Sequence, residues 1–208
     1  LRMSRGLGDV YKRQYDIFSK KLTEVAPFTV DLLLPSGAEN LNYVLYTDES
    51  PYKMQREWLD RLPFDIYSVN VHTGAKRLIG RSYRTAPKWS VNGKWAVMYD
   101  PIAQVWNKFD GATGKVVNIS DAIGYPMFME SYDKPAPAPA YGIAGWTADG
   151  NNVFLYDAYD WWKTDLTGER QPECLTKGYG RKHGKSIRKM TSNIDKDLSL
   201  IHISEPTR

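Results

Sequence analysis

The 208-residue chain has one cysteine, Cys174, and three histidines. A single cysteine excludes an intrachain disulfide and a cysteine metal cluster, and it leaves the redox compartment unread. No stretch approaches the ~20 consecutive apolar residues of a membrane-spanning helix. A G-x-S-x-G nucleophile elbow is absent, and neither His72 nor His183 has a recognisable serine partner. No two carboxylates are set by spacing at the ~5–9 Å that glycoside hydrolysis requires. Gly180, Gly184, Lys185 and Ser186 imitate a phosphate loop, but the spacing puts its first glycine where Tyr179 stands. The residues name no catalytic, cofactor-binding or metal-binding site, and no cofactor is expected.

Excess charge of one sign is also missing, once the two ends are weighed. Residues 4–14 can be encoded by a DNA string whose reverse complement translates to residues 198–208, letter for letter. Inverted complementarity over eleven codons has no folding explanation, and the string resembles the adapter that transposase-based sequencing libraries attach to DNA fragments. Residues 1–14 and 198–208 are therefore expected to be adapter-derived, with 15–197 the native segment of a longer gene. The first stretch carries four basic residues and one acid, the last one of each, so a net charge of +4 falls to +1. That balance predicts no nucleic-acid partner, which would need clustered excess charge. The local basic run 181–189 reads as a solvated loop.

What the chain has is a repeat. Trp89-Ser90, Asn92-Gly93 and an apolar run ending Tyr99-Asp100 return as Trp146-Thr147, Asp149-Gly150 and a run ending Tyr156-Asp157, 57 residues later. Trp106 with Gly114 is echoed by Trp162 with Gly168, and Thr73-Gly74 closes an earlier strand. Asn-Gly and Asp-Gly between apolar runs are tight-hairpin signals, and the Thr-Gly turns place glycine where φ is positive. A strand-built period of this size predicts an all-β chain, an incomplete β-propeller of about three four-stranded blades with WD-like or TolB-like repeats. The blades are expected over about 28–80, 86–120 and 141–177, with another starting after 178.

Within the first blade, 42–48 reads as its second strand and 49–63 as an insertion with a short helix around 55–62. The alternating Pro-Ala run 134–140 blocks sheet pairing and reads as a spacer. Asp100, Asp157 and Asp160 read as turn-capping residues repeated per blade rather than as acid–base or metal carboxylates. The aromatics Tyr125, Phe128 and Tyr132 lie in a long connection, as a contact surface or as ordinary loop packing. Expressed alone, the segment should aggregate or bind hydrophobic dye through uncovered blade faces.

The run from Val153 to Gly168, followed by Leu175-Thr176-Lys177-Gly178-Tyr179-Gly180-Arg181, is similar to the N-terminal propeller of large bacterial serine peptidases of the prolyl oligopeptidase / dipeptidyl aminopeptidase family, in particular its Bacteroidetes-type members. The blade signature Trp89-Ser90-Val91-Asn92-Gly93-Lys94 is shared with TolB-type and dipeptidyl-peptidase propellers. The resemblance spans about 42–181. It implies a non-catalytic part that gates peptide access to a C-terminal α/β-hydrolase domain bearing a Ser-Asp-His triad beyond residue 197, in an exported, periplasmic parent. It carries over no catalytic residue, and the paired-Glu amine anchor of dipeptidyl peptidases has no match. Two other readings compete: a stand-alone TolB-like or WD-like protein-binding scaffold, and a propeller glycosidase or lyase.

Overall fold

The structure is a computed structural model that describes residues 12–16, 20–27, 30, 32–36, 42–59, 61–189 and 201–204, with the backbone alone for 12–14, 16 and 201–204. The expected blade start at Phe28, the stretch 190–197 and most of both terminal segments lie outside the described residues.

Strands β1 (Lys12–Asp16) and β2 (Lys21–Ala26) form an antiparallel pair. Three four-stranded sheets follow, each an antiparallel meander in chain order. The first contains β3 (Leu32–Leu34), β4 (Tyr43–Asp48), β5 (Phe64–Asn70) and β6 (Lys76–Tyr83). The second contains β7 (Lys88–Trp89), β8 (Trp95–Asp100), β9 (Val105–Asp110) and β10 (Val116–Asn118). The third contains β11 (Ile143–Trp146), β12 (Asn152–Tyr156), β13 (Trp161–Asp165) and β14 (Glu173–Cys174). A one-turn helix, α1 (Tyr179–His183), then leads to β15 (Ser186–Lys189), which pairs with β16 (Ile201–Ser204). The pairs β1–β2 and β15–β16 draw on the terminal segments, β1 for Lys12 to Gln14 and β16 for its whole length.

Strand period explains the stacking, because successive side chains point to opposite faces. Ala96 and Met98 of β8 pack with Leu45, Ile66, Tyr83 and Phe109 between the first and second sheets. Their neighbours Val97 and Tyr99 point the other way and pack with Trp106, Val153, Leu155 and Leu166 between the second and third. On the far side of the first sheet, Tyr46 and Val69 pack on Ala26 and Val30. The middle sheet is thus covered on both faces by its neighbours. Stacked four-stranded meanders of this kind are the blades of an incomplete β-propeller.

The register corrects one equivalence. Tyr99 pairs with Trp106, whereas Tyr156 pairs with Trp161, so the counterpart of Trp106 is Trp161 rather than Trp162. The cause is the loop between second and third strands. Asp100 pairs with Val105 across four residues, but Asp157 bonds Asp160 across two, so the 57-residue offset shrinks to 55 by Asp110 and Asp165. The insertion is also reassigned: its helical turn is a 3-10 helix at Ser50–Gln55, not a helix at 55–62. Pro51 fits its first turn, where the missing N–H would have had no partner. The Pro-Ala run does make limited sheet contact, through a Phe128–Ala140 bridge and the Met129 N–H donated to the Pro139 carbonyl. Proline lacks a donor but keeps its acceptor.

Candidate functional site

A meander sends its first and third turns to one end of the sheet and its second turn and exit to the other. The hairpin end therefore collects Asn92-Gly93, Asp149-Gly150 and the turns around Gly74, Gly114 and Gly168. The opposite, connection end collects the insertion 49–63, the loops after Asp100 and Asp157, and the passages that join the first sheet to the second and the second to the third.

At the hairpin end the turns are stitched to one another. The Asn92 side-chain amide donates to the Asp149 carbonyl at 2.8 Å and to Asn151 Oδ1 at 3.3 Å. Gly150 has φ +69°, and a Cβ there would lie 2.7 Å from Asn92, so both backbone and space demand glycine. Arg77 donates to the Gly114 carbonyl, and Tyr43 packs within 3.2 Å of where a Gly114 Cβ would be. The buried Lys108 ammonium donates to the Leu166 carbonyl. Trp89 bridges inner strands, its indole N–H donating to the Leu34 carbonyl at 2.9 Å, while Trp146 packs against the core between the second and third sheets. Gly93 and Gly168 sit in their turns at φ +69° and +87°.

A second repeated device accompanies these turns, and sequence reasoning missed it. Asn70, Asp110 and Asp165 end β5, β9 and β13, and each side-chain oxygen accepts backbone N–H bonds from the turn that follows. The signal was an Asn or Asp two or three residues before each Thr-Gly. Asp165 accepts four such bonds: one from the Thr167 hydroxyl and three from the N–H groups of Thr167, Glu169 and Arg170. Burial alone would raise its pKa, but these bonds outweigh it and hold the carboxyl below its ordinary value.

At the connection end the predicted aspartates cap turns. Asp100 Oδ1 accepts from the N–H groups of Ile102 and Ala103, and Asp157 Oδ1 from Tyr159 and Asp160. Asp157 does more, because it is fully buried: its Oδ2 accepts from the Trp162 indole at 3.0 Å and from Arg181 at 3.2 Å. Asp160, also buried, accepts from the Thr176 hydroxyl and the N–H groups of Gly180 and Arg181, which fixes the start of α1. Tyr156 ends β12 and Tyr99 stands one residue before the end of β8, both beside these loops. Burial pushes the Tyr99 phenol up to about 12, and it donates to the Ala138 carbonyl.

Arg181 is not solvated as the basic run suggested. Its guanidinium lies 4.1 Å from the Tyr125 ring and 5.1 Å from the Tyr159 ring while paired to Asp157, an arrangement suited to a planar, weakly hydrated cation. Arg188 packs on Tyr156 and Tyr141 and donates to the carbonyls of Asp157, Ala158 and Ile187. Burial pulls its pKa down against the nearby tyrosines and aspartates. Lys182, His183 and Lys189 remain exposed. A cavity of about 400 Å3 opens beside this cluster, lined by Tyr125, Trp162, Asp160, Arg181 and Lys182. A second, of about 440 Å3, lies between the insertion and the Pro-Ala strap. Both belong to the connection end.

No family model matches the chain, and no curated protein matches it. Among solved structures it is similar to TolB from Acinetobacter baumannii, at 14% identity and a TM-score of 0.37. That match covers 77% of this chain, which spans 36% of the length of the TolB chain.

Proposed function

We propose that this chain is the non-catalytic propeller segment of a prolyl oligopeptidase-like serine peptidase, in which the connection end faces peptide and gates its access to an α/β-hydrolase domain. The observation that carries the reading is the asymmetry of the two ends. Turns at the hairpin end spend their polar groups on one another, while the long passages, aromatic side chains and both cavities collect at the other. Binding residues are typically carried on such connections over a rigid scaffold. The resemblance across 42–181 supports the peptidase assignment.

In the parent enzyme a serine of the hydrolase domain attacks the peptide carbonyl with a histidine as its base. This segment supplies no reacting group; it restricts which peptides arrive and in what orientation. The terminal segments 1–14 and 198–208 belong to the DNA adapter in this reading.

Long-read sequencing of the source DNA across both ends of 15–197 tests it. The expected result is a frame running on into G-x-S-x-G, followed by Asp and His. A frame that stops once the blades are complete replaces the peptidase reading with a TolB-like or WD-like protein-binding scaffold. Genomic DNA that itself encodes 4–14 and 198–208 overturns the adapter assignment.

A further inference from the structure

We propose that the cavity between the insertion and the Pro-Ala strap binds short peptides through their side-chain carboxylates. The inference deepens the reading of this end as peptide-facing, and rests on it, by naming the peptide class. At about 440 Å3 the cavity falls in the range of small-ligand sites. Its walls are anchored. Tyr52 of the insertion donates its hydroxyl to Asp65 at 2.5 Å, and Asp65 also accepts the Ser82 N–H. The strap is held from below by the Tyr99 hydroxyl on the Ala138 carbonyl, and beside it by the Met129 N–H on the Pro139 carbonyl.

The lining has two chemistries. Trp58, Tyr99, Tyr132 and the strap's prolyl rings offer flat apolar surface, and Trp58 is 76% exposed at the rim. Arg61, Arg84 and Lys134 add three cations, and no acid lines the cavity among the described residues. The ion pairs seen between described residues are Arg56–Glu49, Lys76–Glu24 and Arg181–Asp157, and none of these involves the three cations. Arginine forks match carboxylates with two parallel hydrogen bonds, and half-burial of Arg84 lowers the local dielectric in which such a bond forms. Rings and prolines beside the cations suit the apolar stems and prolyl residues of a peptide. A nucleic-acid strand would need a longer basic track than these three cations provide.

The test tethers the full chain at low density on an optical biosensor. It compares acetyl-Glu-Pro-Phe-Glu-amide with its Gln-Pro-Phe-Gln counterpart. The acidic peptide should bind about tenfold or more tighter at low salt, with the difference shrinking as salt screens it. The pair Arg61→Glu and Arg84→Glu should reverse the preference toward a Lys-Pro-Phe-Lys peptide. The exposed Arg61→Glu alone should weaken acidic binding with its melting temperature unchanged, and Lys115→Glu in the turn before β10 should leave binding unaltered. Equal binding of the acidic and amide peptides, absence of binding, or charge reversal without a switch overturns the proposal. So does tighter binding of an oligothymidine strand. Any of these failures leaves the peptidase reading to the sequencing result, which decides it separately.

Discussion

The two ends of this molecule are built from the same repeats yet use their polar atoms in opposite ways. At the hairpin end, Asn92, Arg77 and Lys108 each reach across to a carbonyl of the following sheet, so side-chain donors act as staples between blades. At the connection end, Asp157, Asp160, Tyr99 and Tyr52 hold loops to their own or adjacent sheets, leaving cations and rings facing two cavities. A closed end fixes the spacing between blades and an open end is left to vary. The lesson is that repetition sets the scaffold while departures from repetition set the surface.

The comparison breaks most sharply if the shared core is cut. Phe109→Ala between the first and second sheets should cost about 3–5 kcal/mol, read from the urea midpoint, because a fully buried ring leaves a cavity. Loss at both ends together is expected, since the core serves both.

At the connection end, Asp157→Ala removes a fully buried carboxylate that holds two backbone N–H groups, an indole and Arg181. The expected cost is about 3 kcal/mol, because Arg181 and the Trp162 N–H lose their acceptor. Hydrogen exchange should accelerate around 158–181 and leave the turn at 92–93 protected. Equal acceleration at both ends would show that the ends are not separable.

The stitching is tested by a pair of glycines with the same backbone angle. Gly150→Ala meets Asn92 and a positive φ together and should cost about 2–3 kcal/mol, while Gly124→Ala at φ +70° meets nothing within 4 Å and should cost about 1 kcal/mol. Similar melting temperatures for the two variants would mean the turn-to-turn contact carries no weight.

A smaller effect sharpens the view of the Thr-Gly turns. The folded state holds Asp165 below its ordinary pKa, so its contribution to stability is complete above that value and disappears as pH falls through the lowered one. Acid denaturation monitored by circular dichroism should therefore show a steeper loss below about pH 4 in the native chain than in Asp165→Asn. The smallest effect belongs to Trp58→Ala, which should change stability by no more than about 0.5 kcal/mol, since that ring is exposed.

Much of the scaffold is legible from residues alone. Asn92-Gly93 and Asp149-Gly150 mark hairpins by turn chemistry, and the alternation along 65–71 assigns Ile66 and Ser68 to one face and Tyr67 and Val69 to the other. The connection end is far less legible. Whether Trp106 matches Trp161 or Trp162 depends on a loop two residues shorter, which only pairing reveals. The burial of Arg181 and Arg188 on tyrosines comes from partners 22 to 56 residues away, and a charge run in sequence carries no sign of them. The cavity by the strap joins residues from the insertion, the passage after β6, the end of β8 and the connection that carries the Pro-Ala run, and of these only Tyr99 belongs to the repeat.

The alternation of β8, with Ala96 and Met98 serving one neighbour and Val97 and Tyr99 the other, has a consequence for how such chains lengthen. A blade here is a coupling between two interfaces rather than an owner of either. Duplicating a whole blade inserts a unit whose two faces already match what they meet, whereas gaining one residue inside a strand swaps the faces and mismatches both neighbours at once. Growth by whole blades is then the low-barrier route for the gene, while smaller length changes fall in loops such as those after Asp100 and Asp157 or are absorbed as bulges, as in β6 and β11.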